Sequence, residues 1–394
     1  MKSCQKCLLP ETHETITFKD NVCNICNNNE KKNETIDWDH RKTQLDKIVS
    51  TYKKKENSYD CIVPFSGGKD SSWIAYYLKK NYNLKILLVR FDHGFLREVL
   101  QNNVKKLCKN LGLDLLSYRP DWKVTQKLML KSLIDKGDFC WHCHTGIYTY
   151  PIRVAVEKKI PLIIWGEGSG EYEDYYDIDD LKSINERYIN RVVNLGINAD
   201  DMFLRFNGDI DRRDLLPYTY PTKDEFNSLD IKSICLGDYI KWDIKHHVKV
   251  LKKEIGWKGD IVENVPPEYD YEKIECYMQG VRDYIKFIKR GYSRTTHLVS
   301  LDLRNKRVKK EKALELIKLH EGKKPATLSI FLDYIGLNET QFNDIVAGHI
   351  VKPNIHDFNR NDNSIKNPDH DNYDTSGSMN KKYAQEKFKE WFLD

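Results

Sequence analysis

Little in this chain points to a membrane. Its longest apolar stretches, near Leu84–Phe91 and Ile160–Trp165, are strand-length and fall far short of a bilayer span. The opening Met1-Lys2-Ser3-Cys4-Gln5-Lys6-Cys7 lacks the apolar core of a secretory signal, which predicts a cytoplasmic protein with no membrane partner. Charge of one sign is scarce too. Lys and Arg number 64 against 59 Asp and Glu, a formal net charge of +5 over 394 residues. So small an excess demands no nucleic-acid partner. Internal repeats are missing apart from two cysteine pairs near the N-terminus. In a reducing compartment the ten cysteines are expected to be free, metal-bound or buried. What is present is a charged (31%), aromatic-rich (11%) chain, long enough for two or three domains with their own cores.

The rest of the chain is organised around Ser66-Gly67-Gly68-Lys69-Asp70-Ser71-Ser72. The apolar run Cys61–Phe65 leads in, and a helical pattern from Trp73 to Leu78 leads out. Strand, glycine turn and helix together make a phosphate-binding arrangement. Glycine lets the backbone approach an anion, and the new helix points its free N–H groups and positive dipole end at it. Asp70, Ser71 and Ser72 suit the first helical turn. The spacing is not the Walker form. A glycine turn with no ligand is the alternative.

From Tyr59 onward strands and helices alternate. Strands are expected at Cys61–Phe65, Leu84–Phe91, Leu113–Tyr118 and Pro161–Trp165, and helices at Arg97–Leu111, Trp122–Asp135 and Ile147–Lys158. This alternation predicts a parallel sheet covered by helices on both faces. Ligands of such sheets lie beyond the strands' carboxyl ends. The turns at Ser66, at Arg90–His93 and at Gly166–Gly170 should therefore share one cleft. Glu167 and Glu171 in the third turn could hold Mg²⁺ or a substrate amine. Their place at a strand's end favours a site over a solvated acidic loop.

Cys4-x-x-Cys7 and Cys23-x-x-Cys26 have the spacing of a four-thiolate zinc ribbon. So short a segment needs metal to fold, and four thiolates leave no open position, so the zinc is expected to be structural. Cys140-Trp141-His142-Cys143-His144 precedes a predicted helix, whose N-terminus is expected to lower a thiol's pKa. Three readings compete here: buried structural thiols, a metal held with His142 or His144, or a cluster shared with a distant third cysteine, for which Cys235 is the candidate.

After Ala199 the pattern loses its regularity and becomes rich in tyrosine and tryptophan. Helical stretches at Val281–Lys289, Lys310–His320, Leu328–Ile335 and Glu339–Ala347 predict a mostly helical second domain over the cleft. Lys289-Arg290-Gly291-Tyr292-Ser293-Arg294 gathers cations around a glycine. That could bind phosphate or carboxylate, or be a solvated basic turn. The expected divisions are a zinc ribbon (1–30), a helical linker (31–57), a nucleotide domain (58–200), a helical substrate or partner domain (201–350) and a polar tail with a short terminal helix (351–394). The tail from Asn354 to Met379 is expected to be disordered or to hug the surface.

The Ser66–Ser72 loop, SGGxDS in form, resembles the PP-loop ATPases, whose fold is adenine nucleotide alpha hydrolase-like. The resemblance implies adenylation by ATP with departure of pyrophosphate. Ser66, Gly67, Gly68, Asp70, Ser71 and Ser72 would then hold the pyrophosphate part of ATP, Lys69 would neutralise its charge, and Val89, Arg90 and Phe91 with Gly166 would border the nucleotide. Several stretches in order also resemble the N-acetyl sugar amidotransferases of lipopolysaccharide and flagellin-glycan (pseudaminic- or legionaminic-type) pathways. They are Cys4–Pro10, Ser66–Ser72, Cys140–Gly146, Gly166-Glu167 with Glu171-Tyr172, Leu236–Ile240 and Lys289–Arg294, and the likeness runs to about Gly322. It departs after Asp302-Leu303-Arg304, where a glycine and a second arginine are expected.

That resemblance implies conversion of an acetamido group to an acetamidino group through an adenylated intermediate, with ATP and Mg²⁺. Lys69, Asp70, Glu167 and Glu171 would be catalytic, and Lys289, Tyr292 and Arg294 would bind substrate. Ammonia would come from a glutaminase subunit similar to that of imidazole glycerol phosphate synthase, with or without a cyclase-like subunit. The sequence separately carries no G-x-C-x-G nucleophile turn and no N-terminal cysteine. Two alternatives stand. One is a PP-loop tRNA sulfur transferase, in some of which a CxxC pair and a later cysteine hold a [4Fe–4S] cluster. The other is a non-catalytic nucleotide-binding scaffold for the glutaminase.

Overall fold

A computed structural model describes residues 1–53, 58–166, 184–227, 229–360 and 362–393. The chain opens with a hairpin, β1 (Phe18–Lys19) and β2 (Val22–Cys23), followed by helices α1 (Asn24–Thr35) and α2 (Trp38–Tyr52). Then come β3 (Cys61–Pro64), α3 (Lys69–Tyr82), β4 (Ile86–Phe91), α4 (Glu98–Leu111) and β5 (Asp114–Tyr118). Next are α5 (Trp122–Lys136), α6 (Trp141–Lys158) and β6 (Leu162–Trp165). Short helices α7 (Glu186–Tyr188), α8 (Ala199–Arg205) and α9 (Lys223–Asn227) lead to β7 (Lys232–Cys235) and α10 (Ile244–Glu254). The remaining α-helices are α11 (Gln279–Arg290), α12 (Arg294–Arg304), α13 (Lys310–His320), α14 (Thr327–Ile335), α15 (Glu339–Ala347) and α16 (Lys381–Phe388).

Strands β3 to β7 form one parallel sheet in the order β5-β4-β3-β6-β7. Alternate side chains enter two cores, as the period of a strand requires. Cys61, Val63, Leu88 and Ile164 face one core with Leu78 of α3, Leu100 of α4 and Leu251 of α10. Ile62, Val89, Ile163 and Trp165 face the other with Ile152 and Ala155 of α6. Helices cover both faces, so the strands read as apolar runs. A third core joins α5 to the C-terminal helices through Met129, Leu133, Val281, Ile285, Phe331 and Phe342.

The four expected strands are all present. The fifth, β7, lies beyond the expected boundary at 200, so the sheet domain extends past it. Only a short apolar run, Ile231–Leu236, marked this strand in the sequence. Helix α6 starts six residues earlier than expected, which brings the Cys140–Cys143 pair into its first turn. The polar tail is tied down at intervals. Asn367 accepts from Arg97 at 3.2 Å, the Gly377 carbonyl accepts from the Trp122 indole at 2.9 Å, and Met379 is buried. Among the described residues no helix is long and apolar enough to cross a membrane.

Candidate active site at the carboxyl ends of the sheet

The chain builds β3, β4 and β5 outward on one side, then crosses back to lay β6 and β7 on the other. The carboxyl ends of β3 and β6 therefore flank the crevice of a topological switch point, where open α/β sheets bind ligands. The Ser66–Ser72 loop leaves β3 at that point, and Gly166 ends β6 beside it. A Cβ on Gly166 would lie 3.3 Å from Ile74 and 3.6 Å from Asp70 Cβ, so these two turns are in contact.

The loop is tied internally. The N–H groups of Ser66 and Gly67 donate to Ser71 Oγ, and Gly68 N–H donates to Ser66 Oγ, each at 3.2 Å. Gly67 has φ +89°, a left-handed conformation that favours glycine. Its carbonyl accepts from the buried Trp257 indole at 3.1 Å. Gly68 caps α3 with no side-chain capping bond, so the first turn presents backbone donors and a positive dipole end.

Lys69 begins α3 and turns inward. Its ammonium lies 2.7 Å from Asp70 Oδ2 and 3.0 Å from Glu272 Oε2, and its side chain is 3% exposed. Glu272 is fully buried and also meets Arg294 at 3.5 Å. Burial opposes its ionisation, but Lys69, Lys273 and Arg294 outweigh that and hold the carboxyl below its ordinary value. Glu275 comes from the same segment, and its carboxylate lies directly over Gly68. His247 of α10 stacks on Trp73 at 4.0 Å between ring centroids. Burial, opposed by Asp70, lowers its pKa to about 4, so it is neutral at pH 7.

The other expected nucleotide contacts are spread around this centre. The Val89 carbonyl accepts from Phe65 N–H at 2.8 Å within the sheet. Arg90 turns toward β5 and α4, donating to Ser117 Oγ at 3.0 Å and to Gln101 at 3.1 Å. The Phe91 ring lies against Gly146 and, edge-on, against Tyr218. Glu167 and Glu171 fall outside the described residues.

The basic turn after α11 is placed at a junction between modules. Lys289 donates to the carbonyls of Lys136 and Gly137 at 3.0 and 3.1 Å, which closes the end of α5. Tyr292 donates to Glu14 at 3.0 Å and packs in the N-terminal cysteine core. Arg294 faces the other way, toward Glu272 and Asp283. Of the three residues expected to bind substrate, only Arg294 reaches the partners of the phosphate loop.

The four N-terminal cysteines are gathered as their spacing predicts. Their sulfurs all lie within 4.8 Å of one another, with Cys4–Cys26 at 3.8 Å and Cys7–Cys23 at 3.6 Å. A tetrahedron with Zn–S bonds of about 2.3 Å has S···S edges of about 3.8 Å, so the set fits such an ion. Backbone N–H groups of Cys23 and Cys26 donate to Cys4 and Cys23 sulfurs, which orients the ligands.

The second cysteine group differs from expectation in two ways. Cys235 lies on β7 in the core shared with Ile62 and Trp165, whereas Cys140 and Cys143 belong with the helical core. Cys276 shares the helical core with the pair, but among the described residues only the four N-terminal cysteines bring three or more ligand atoms within 4.8 Å of one another. Burial first, then Cys276, pushes the Cys143 thiol well above its ordinary value. Desolvation therefore outweighs the helix N-terminus that was expected to lower it.

Trp257, His247, Glu272 and Glu275 escaped sequence reasoning. They lie some two hundred residues from the loop in an aromatic-rich stretch with no spacing signal. A carboxylate at 272 looks like any surface glutamate until the fold buries it.

A glycine-rich SGGxDS loop between a parallel strand and helix, at the switch point of a five-stranded sheet, makes this an α/β protein whose loop and sheet resemble those of the PP-loop ATPases. Residues 268–370 match the family described as LPS biosynthesis protein WbpG-like, C-terminal domain. This match covers 103 of the 394 residues and is what that segment is similar to, in keeping with the resemblance noted above. The match continues well past Gly322 into the polar tail. An uncharacterized protein of Methanocaldococcus jannaschii is 27% identical over 130 residues, 33% of this chain and 46% of that relative. The chain therefore matches less than half the length of that relative. Among solved structures, the U34-tRNA thiolase NcsA from Methanococcus maripaludis with its [4Fe-4S] cluster aligns at 15% identity and TM-score 0.29, covering 80% of this chain and 89% of that one. The NH3-dependent NAD synthetase from Campylobacter jejuni in complex with the nitrate ion aligns at 14% and 0.27, covering 58% and 100%. At such scores the fold assignment rests on this chain's own sheet and loop.

Proposed function

We propose that this chain is an ATP-dependent amidotransferase that converts the acetamido group of an N-acetyl sugar into an acetamidino group. The observation that carries the reading is the phosphate loop at the switch point, packed against a WbpG-like C-terminal segment through Glu272 and Glu275. The acetamido oxygen attacks the α-phosphorus of ATP, and pyrophosphate leaves. Ammonia then adds to the imidoyl carbon, and AMP departs with the former acetamido oxygen. Loss of a proton leaves the acetamidino group. The loop's N–H groups and the α3 dipole would hold the departing pyrophosphate, while Lys69 offsets its growing charge. Asp70 and, in the turn after β6, Glu167 and Glu171 are proposed to orient Mg²⁺ or the incoming amine. Zn²⁺ at Cys4, Cys7, Cys23 and Cys26 is proposed as structural. Ammonia is proposed to come from a separate glutaminase subunit in the cytoplasm.

Mass spectrometry of candidate N-acetyl sugars incubated with the protein, ATP, Mg²⁺ and ammonium tests the proposal. A product carrying NH in place of O, formed with AMP and pyrophosphate, is expected. ATP binding without turnover would leave a nucleotide-binding scaffold, and ATP use without an amidinated sugar would leave another substrate. The second reading, tRNA sulfur transfer, draws on the Cys140 and Cys143 pair, with Cys235 lying apart in another core. Iron bound by these thiols and RNA binding with a steep salt slope would favour it.

A further inference from the structure

We infer that Glu272, supplied by the C-terminal domain, is a positioning residue that fixes the phosphate-loop lysine. The inference rests on the ATP chemistry proposed above. Lys69 opens helix α3, where a lysine side chain would ordinarily reach into water. Here it is buried between two carboxylates, Asp70 at 2.7 Å and Glu272 at 3.0 Å. These partners are not equivalent. Asp70 is 20% exposed at the rim, while the Glu272 side chain is 0% exposed. At that rim an incoming phosphate can compete with Asp70 for the ammonium. Glu272 lies out of such an anion's reach, buried beneath Lys69 with Arg294 at 3.5 Å from its other oxygen.

Stability gives a poor account of this arrangement. Burying an ion pair costs desolvation that its attraction repays only in part, and an apolar pair of similar volume often serves the fold as well or better. A flexible lysine held at the mouth of a phosphate loop is useful to chemistry that needs a fixed charge, since no reorganisation is then required as the pyrophosphate leaves. The C-terminal domain thereby completes the loop: removing its carboxylate should leave Lys69 present but misplaced.

Three variants test this in the full chain: Glu272→Gln, Lys69→Met and the two combined. AMP formation from MgATP with an N-acetyl sugar and ammonium gives kcat and KM, and thermal melting reports folding. Glu272→Gln should lower kcat by roughly 10- to 100-fold, the scale of a misplaced catalytic group, with KM for ATP little changed. The combined variant should match Lys69→Met in kcat, because Glu272 acts through Lys69. It should melt above Lys69→Met, in which the buried Glu272 charge keeps only Arg294 at 3.5 Å; the combined variant removes that charge, and Arg294 retains Asp283 at 3.4 Å. An unchanged kcat in Glu272→Gln, or losses that multiply in the combined variant, would overturn the inference. The combined variant keeps the test open should Glu272→Gln fail to fold. Amine labelling of Lys69, read by mass spectrometry against reference lysines, gives a measure independent of turnover. It should be slow in the unmodified protein and severalfold faster in Glu272→Gln. Equal labelling contradicts the inference even if no sugar is turned over, whereas absent turnover with faster labelling counts only against the proposed reaction.

Discussion

Alanine at Gly67 and alanine at Gly68 should have very different consequences, although the two glycines are neighbours. Gly67 has φ +89°, and a Cβ there would lie 2.7 Å from Val104 Cγ2 in the core. Placing an L-residue in a left-handed conformation costs roughly 1–2 kcal/mol. Forcing a methyl into packed core adds about 1–3 kcal/mol. The loop has little room to slide, because the Gly67 N–H is bound to Ser71 and its carbonyl to Trp257. We therefore expect Gly67→Ala to lose about 2–5 kcal/mol, a large share of the 5–15 kcal/mol typical of a folded domain. Gly68 has φ −70°, which any residue accepts, and the three atoms nearest a Cβ there all belong to the Glu275 side chain, the first being a carboxylate oxygen at 1.8 Å. A carboxylate can rotate away, so Gly68→Ala should lose less than about 1 kcal/mol. Urea unfolding followed by tryptophan fluorescence compares the two. Equal losses, or a Gly67→Ala variant as stable as the parent, would refute the reasoning.

Four further outcomes are expected. Metal analysis should find one zinc per chain, and it should be lost when Cys4 and Cys7 are both replaced by serine; equal zinc in both forms contradicts the ribbon. Ser66→Ala and Asp70→Ala should abolish ATP-dependent turnover while leaving circular dichroism unchanged, and normal turnover in both would remove the loop from the ATP site. Burial lowers the pKa of His13, His93 and His247 to about 4 from an ordinary 6.5. Between those values the unfolded chain binds more protons than the folded one, so stability should be full above pH 6.5 and fall steadily toward pH 4; a flat urea midpoint across that range argues against it. The chain alone should use ammonium and ignore glutamine, with a rate that climbs with pH as more ammonia is unprotonated; glutamine use at a matching rate would point to a nucleophile among Cys140, Cys143 and Cys276.

The parts legible in the sequence were those with short-range signals. β3, β4, β5 and β6 are apolar runs bounded by turns, and Ser66–Ser72 is a contiguous motif whose chemistry follows from its order. The two CxxC pairs fixed their own partners, since four thiolates on short knuckles have few ways to meet. Contacts made across long separations were not legible. Cys276 rather than Cys235 shares a core with the second cysteine pair because the chain returns beside Phe95, where Tyr277 N–H donates to the Phe95 carbonyl at 2.8 Å. Glu272 reaches Lys69 for the same topological reason. The Lys289–Arg294 turn left an anion site and a solvated basic turn both open, because clustered charge does not show that Lys289 caps α5 and Tyr292 seats the cysteine module.

Oxygen transfer tests the central claim most directly. An N-acetyl sugar labelled with heavy oxygen in its acetamido group is incubated with the protein, MgATP and ammonium. Adenylation of that oxygen requires the label to leave with AMP, so AMP should carry one heavy oxygen for each sugar that gains nitrogen. Unlabelled AMP alongside an amidinated sugar, or release of ADP and phosphate in place of AMP and pyrophosphate, would contradict the account.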